Sequence, residues 1–265
     1  MTAIRIGSLM RRDALIASSY RMVFVLDIFF GVVELAFYYF ISATFAHVSP
    51  GDLGEAPSYF AFAIVGVLLG AVLNATSSTV GSRVRDEQLT GTLEILAASP
   101  LNSFELCVGL VSFPFLFALV RLGIYTIFAL TVLGLELPSA DWPGFLLVLL
   151  ATGAAIAPIG ILAGAAALVV KRGHVVASTG VYLMTFLAGM AFPISVLPGW
   201  IRWISDLIPL RYAFDGARAA LFTGGGWGMD VVVLSAIAAA LWPSALVAFS
   251  WALTFAKRKA ALADY

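Results

Sequence analysis

The chain has 265 residues, of which 62% are hydrophobic and 11% charged. A soluble chain of this length carries about a quarter charged residues, so this one has too much apolar surface for water and is read as a membrane protein. The formal net charge of +0 gives no sign of nucleic-acid binding, the single Cys107 excludes an internal disulfide, and two histidines make no histidine-rich metal site.

Residues 1–21 are expected to form an amphipathic interfacial helix. Ile6, Leu9, Met10 and Ala17 can share one face and Arg5, Ser8 and Arg12 another. A basic amphipathic helix beside a span lies among the headgroups. Six apolar runs follow, each near or above the ~20 residues that cross hydrocarbon: 22–45, 59–80, 106–133, 145–170, 175–197 and 231–255. The fold class is therefore an all-α polytopic membrane protein, with residues 22–265 forming one six-helix transmembrane domain. The first run is too long for a signal-peptide core and has no convincing cleavage site, so it is read as retained.

Orientation follows from lysine and arginine. Arg5, Arg11, Arg12 and Arg21 precede the first run, Arg83 and Arg85 follow the second, Lys171 and Arg172 separate the fourth and fifth, and Lys257, Arg258 and Lys259 follow the sixth. With six crossings all of these fall on one side. The intervening loops carry Asp52, Glu55, Glu136 and Asp141 instead. The chain is thus expected to be a multi-pass protein of the cell (inner, cytoplasmic) membrane with both termini in the cytoplasm.

Within the runs, Glu34 and Arg121 lie near mid-depth. A charge there costs about 2.5–3.5 kcal/mol, so the two are expected to pair or to line a polar cavity. Asp27 lies nearer the cytoplasmic end, where it can snorkel. Asn74 and residues 76–79 make the inner half of the second run polar, as for a face toward protein or water. Gly66 with Gly70 and Gly160 with Gly164 have the spacing of close helix packing. Pro114, Pro158 and Pro193 can kink their runs.

Residues 199–222 are too polar to span. Trp200, Trp203, Ile204 and Leu207 recur at helical spacing, Arg202 and Asp206 are placed to pair, and Pro209 interrupts the helix. Two short helices at the outer leaflet are expected, followed by a turn at residues 224–226. They form either an aromatic belt or a re-entrant plug over the mouth of a pathway.

The segment 82–100 is polar-faced inside a greasy chain. Val84, Leu89, Leu93 and Leu96 supply apolar contacts, and Arg83, Arg85, Asp86, Glu87 and Glu94 supply charge. Gly91 weakens helix by about 1 kcal/mol relative to alanine, which suggests a bend or a close contact. Glu87, Gly91, Thr92, Leu93, Glu94, Leu96 and Pro100 read E-x3-G-T-L-E-x-L-x3-P, and Leu197, Pro198, Trp200, Pro209, Leu210, Tyr212 and Arg218 read LP-x-W…PL-x-Y…R. Together these resemble the ABC-2 type permeases, membrane subunits of ATP-driven exporters. The resemblance implies that the segment between the second and third spans is a coupling helix seated on a separate ATPase subunit, with Arg85, Glu87, Gly91, Thr92, Leu93 and Glu94 as coupling residues. It implies that Trp200, Trp203, Pro209, Tyr212 and Arg218 belong to helices capping the exit. It further implies two permease copies, as a homodimer or with a related partner, in membrane lipid.

A phosphate-binding loop needs a Gly-Lys-Ser/Thr run. The only lysines are Lys171, Lys257 and Lys259, and none follows glycine. No cofactor is therefore expected on this chain, and ATP and magnesium belong to the partner. Nor does any nucleophile–base arrangement stand out. The reading is a permease moving a drug-like, lipid or glycan substrate through a path that includes Glu34, Arg121 and Asn74. An ion-gradient-driven carrier using Glu34 as a proton site, and a membrane-embedded transferase of lipid-linked substrates, are the alternatives.

Overall fold

The computed structural model describes residues 2–44, 53–89, 102–169 and 173–258, and every regular element among them is helical. Helix α1 (Thr2–Ser19) is followed after Tyr20 by α2 (Arg21–Thr44). Then come α3 (Tyr59–Leu89), α4 (Ser103–Thr131), α5 (Trp142–Val169) and α6 (Gly173–Leu187). After a short 3₁₀ turn (Ile194–Val196) come α7 (Gly199–Leu207) and α8 (Pro209–Arg218). A π-turn (Ala219–Thr223) leads to α9 (Gly228–Arg258). By length and apolar composition α2, α4, α5 and α9 can each cross a membrane, and Tyr59–Leu73 of α3 is a shorter apolar stretch.

Helix α5 is the centre of the bundle, with two thirds (67%) of its most apolar window buried against 6% for α2. Small residues allow this. A Cβ on Gly160 would lie 2.9 Å from the Ser77 Cα of α3, and one on Gly153 would lie 2.8 Å from the Phe115 Cζ of α4. With no hydrophobic drive between helices in lipid, such backbone-close packing is what holds a bundle together. Pro114 and Pro158 lie inside α4 and α5 as expected.

Two boundaries differ from the sequence reading. The fifth apolar run was expected to reach residue 197, yet α6 stops at Leu187. Gly189 takes a φ of +88°, which ends a right-handed helix, and Pro193 then sits outside the helix as the cap of the 3₁₀ turn rather than kinking a span. Helix α3 does not stop near residue 80 but continues to Leu89 over 31 residues, about 46 Å at 1.5 Å per residue, well beyond the ~30 Å hydrocarbon core. So residues 82–89 prolong α3 and do not begin a new helix. The rest of the expected coupling segment, including Gly91, Thr92, Leu93 and Glu94, lies outside the described residues. Helix α1 packs on the start of α4: Leu9 is buried, and a Cβ on Gly109 would be 3.4 Å from the Leu9 Cβ.

The segment 199–226 folds as the expected pair of short helices. Ile208 is extended (φ −83°, ψ 121°) and Pro209 opens α8 at its first position, where a missing N–H costs nothing. On α7, Trp200, Trp203 and Leu207 form an exposed apolar stripe, and the buried Ser205 Oγ donates to the Leu187 carbonyl at 2.6 Å. The anticipated Arg202–Asp206 pair does not form. Arg202 donates to the Ser195 and Leu197 carbonyls, capping the 3₁₀ turn, and Asp206 pairs with Arg211. Asp141 fixes the far end: its carboxylate accepts from the Gly144 amide at 2.9 Å and the Trp227 indole at 2.9 Å.

Candidate functional site

The candidate site is built on α2, α3, α4 and α6. On α2 the residues Asp27, Gly31 and Glu34 follow at intervals of four and three, which places them on one helix face. Gly31 lets α4 approach: a Cβ there would overlap the hydroxyl of Tyr125, which donates to the Asp27 carbonyl at 3.1 Å. That approach brings Arg121, one helical turn from Tyr125, beside Asp27. Arg121 Nη1 meets Asp27 Oδ2 at 2.5 Å and Nη2 donates to the Ala71 carbonyl of α3 at 3.3 Å, while its Nε is buried without a partner.

Around this pair lies a cavity of about 610 Å³, lined by Asp27, Glu34, Arg121, Tyr125, Tyr182 and Thr185 among others. The sequence expectation thus divides. Glu34 and Arg121 do line one cavity, but the ion pair belongs to Asp27, which had been left to snorkel. Glu34 makes no hydrogen bond or ion pair among the described residues. Two carboxylates and one guanidinium leave the cavity with one carboxylate in excess. Spacing on the α2 face makes Asp27 a second candidate beside Glu34, and the packing of α4 against α2 selects between them. Mid-depth position alone favoured the wrong acid. The side chains of Asn74, Arg85 and Glu87 lie outside the described ones.

Two partitions bound the cavity. Toward α1, the Asp27–Arg121 pair separates it from a second groove of about 810 Å³ that the same two residues also line. On the opposite side, Met190 closes it by packing on α3, where a Cβ on Gly66 or Gly70 would each lie 3.1 Å from a Met190 side-chain atom. Behind Met190, Arg218 is buried. It donates to the Gly189 carbonyl at 2.7 Å and the Phe62 carbonyl at 3.4 Å, and its guanidinium carbon lies 3.6 Å from the Phe62 ring centroid. Burial pushes the Arg218 pKa down to about 10 against the attraction of Asp215, so it stays protonated at neutral pH. A third cavity of about 450 Å³ lies beyond, lined by Glu55, Arg211, Asp215, Arg218 and Asp230. Burial raises the Asp215 carboxyl more than Arg218 and Arg211 lower it. Of the expected outer residues, Arg218 is thus the one that reaches the bundle interior. Tyr212 donates to the Asp206 carbonyl, joining α8 to α7, and Pro209 starts α8.

Sequence reasoning also missed the residues that tie α1 to the bundle. Asp13 is 4% exposed and pairs with Arg12 and with Arg83 on α3. Arg5 pairs at 3.1 Å with Glu105, itself 1% exposed, and Glu105 completes a reciprocal cap with Asn102 at the start of α4. Asn-x-x-Glu is a legible capping signature, but its arginine partner from residue 5 is not. Among the described residues no group of three or more His, Cys, Asp or Glu could hold a metal.

Long apolar helices lining charged cavities are those of a multi-pass membrane protein. The ABC-2 type transporter family matches residues 5–222, and the chain belongs to that family. Comparison with curated proteins gives no match. The family is one of transport permeases, which generally work with an ATPase partner.

Proposed function

We propose that this chain is the permease subunit of an ATP-driven exporter. In this reading it crosses the membrane six times with both termini in the cytoplasm. It lines the path for a drug-like, lipid or glycan substrate and works as two copies, or with a related permease, beside separate ATPase subunits that hold ATP and magnesium. The observation that carries it is the charged cavity between α2, α3, α4 and α6, with the Asp27–Arg121 pair on one side and Met190 on another. A path that must never open through both ends at once needs two closures, and the Asp27–Arg121 pair and the Met190–Arg218 plug supply them.

Coupling through 82–100 has independent support. Helix α1 is bonded to Arg83 on one flank of that segment and to Glu105 on the other. A push on the segment would therefore reach α3, α4 and α1 together. Gly91→Pro or Glu94→Arg is expected to weaken co-purification with the ATPase subunit, or to uncouple hydrolysis from transport, while the protein still inserts. Normal coupled transport by both variants sinks the assignment. Transport into inside-out vesicles with a panel of drugs, lipids and glycans identifies the substrate class.

Glu34, which has no hydrogen bond or ion pair among the described residues, favours one second reading, a gradient-driven carrier with Glu34 as the proton site. It requires transport by the purified chain without any ATPase, abolished by Glu34→Gln. The two readings separate on whether ATP hydrolysis by a partner is needed.

A further inference from the structure

The groove between α1, α2 and α4 is chemically unlike the cavity it adjoins. Three guanidinium groups line it, those of Arg21, Arg83 and Arg121; Arg121 is bound to Asp27 and Arg83 to Asp13, which leaves Arg21 without an acidic partner among the described residues. Its walls are otherwise apolar and aromatic. Phe24 of α2 meets Phe117 of α4 edge-on at 5.2 Å, Phe113 stacks on Phe117 at 6.0 Å, and the Arg83 guanidinium sits 5.8 Å from the Phe113 ring centroid.

We propose that this groove binds one acidic phospholipid of the bilayer, its phosphate between Arg21 and Arg83 and an acyl chain along Phe24, Phe113 and Phe117. Three features argue for it. Arg21 is exposed and makes no hydrogen bond or ion pair among the described residues, so an anion there gains a guanidinium without breaking an existing pair. Arg21 is also the first residue of α2, at the corner where α1 turns into a membrane-crossing helix, which is headgroup depth for an arginine. Basic pockets between such helices select acidic headgroups, each arginine adding about fivefold in affinity. Finally, the aromatic wall runs from the basic corner along α2 and α4, the direction an acyl chain takes from its headgroup. A soluble phosphate would leave that wall uncovered, so the bilayer is the source. The inference rests on the groove alone and not on which molecule the protein transports.

The test uses the full-length protein purified in detergent, with binding followed by native mass spectrometry. Phosphatidylglycerol and phosphatidylcholine with identical chains are titrated separately, and soluble glycerol phosphate is added as competitor. Phosphatidylglycerol is expected to bind several-fold more tightly than phosphatidylcholine. Arg21→Gln should lose about fivefold, and Phe117→Ala should also weaken phosphatidylglycerol. Arg11→Gln, which removes the same charge from α1 outside the groove, should change nothing. Thermal unfolding of the exposed Arg21→Gln variant should match the parent. Equal affinity for the two lipids overturns the proposal. So does an Arg11→Gln loss as large as that of Arg21→Gln, which would mean diffuse surface charge. Competition by glycerol phosphate at equal concentration would replace the lipid site with a headgroup-only anion site.

Discussion

Removing the Asp27 carboxylate tests the central geometry most directly. In Asp27→Asn, Arg121 loses the carboxylate it is paired with. Its remaining bond is then one long contact to the Ala71 carbonyl at 3.3 Å. An arginine at bilayer depth costs about 2.5–3.5 kcal/mol, and breaking a fully buried pair costs about 3–5 kcal/mol. The Arg121 side chain is 16% exposed and that of Asp27 39%, so neither ceiling is reached and a loss of about 2 kcal/mol is expected. Arg121→Gln should cost less, about 1 kcal/mol, because the carboxylate left behind is the more exposed partner. The double variant should return to within about 1 kcal/mol of the parent, since a cation and its counter-charge leave together. Glu34→Gln should fall within about 0.5 kcal/mol of the parent, since Glu34 holds no bond to lose. Thermal unfolding in lipid nanodiscs reads all four. At about 2–4 °C per kcal/mol for a chain of this size, Asp27→Asn should fall by roughly 4–8 °C. A double variant as unstable as Asp27→Asn alone refutes the pairing. A Glu34→Gln loss equal to that of Asp27→Asn would restore Glu34 as the partner of Arg121.

Gly31→Val should displace the Tyr125 ring, whose Cε1 would lie 2.8 Å from the new Cβ, and cost about 1–3 kcal/mol of overpacking; adding Tyr125→Ala should recover part of it, and additive losses in unfolding would contradict the contact. Arg218→Leu should destabilise the outer segment by about 2–3 kcal/mol through lost charged hydrogen bonds and ring contact. Arg218→Lys should not rescue it, because an ammonium cannot serve two carbonyls and a ring with one plane; full rescue by lysine would show that charge alone matters. At Asp215 the folded pKa lies above the ordinary 3.8 because burial prevails. The folded chain therefore holds that proton more tightly than the unfolded one. Stability should rise as pH falls through the raised value and level off once the ordinary value is passed. Melting curves between about pH 4 and 7.5 should show a smaller rise in Asp215→Asn, and an unchanged profile would rule out Asp215 as a source of it.

Much of this molecule could be read from the chain because lipid imposes a one-dimensional rule. A helix that satisfies its own backbone must be apolar over a fixed length, so run length alone located α2, α4, α5 and α9. Proline chemistry likewise placed the break between α7 and α8 at residue 209, since a ring nitrogen cannot continue a helix but can begin one. What run length could not supply was where a helix stops when composition gives no stop. Helix α6 ends at Leu187 inside an apolar run because Gly189 adopts a left-handed φ, and α3 continues past residue 80 because nothing in its polar stretch forbids a helix.

The amino-acid sequence by itself determined that this is a helical membrane protein with a polar segment after its second long helix, and that some buried acid must answer Arg121. Which acid answers it was decided only by the tertiary structure. Asp27 and Glu34 share one face of α2, and hydropathy treats them alike. The choice between them depends on Gly31 admitting Tyr125, which sets the height of α4 against α2 and brings the guanidinium to Asp27. In the same way Arg218, one arginine among several in sequence, reaches the bundle interior only because α8 carries it to the carbonyls of Gly189 and Phe62. Periodicity fixes the face a side chain occupies, but the axial offset between two helices is a property of their packing and is written in no single segment.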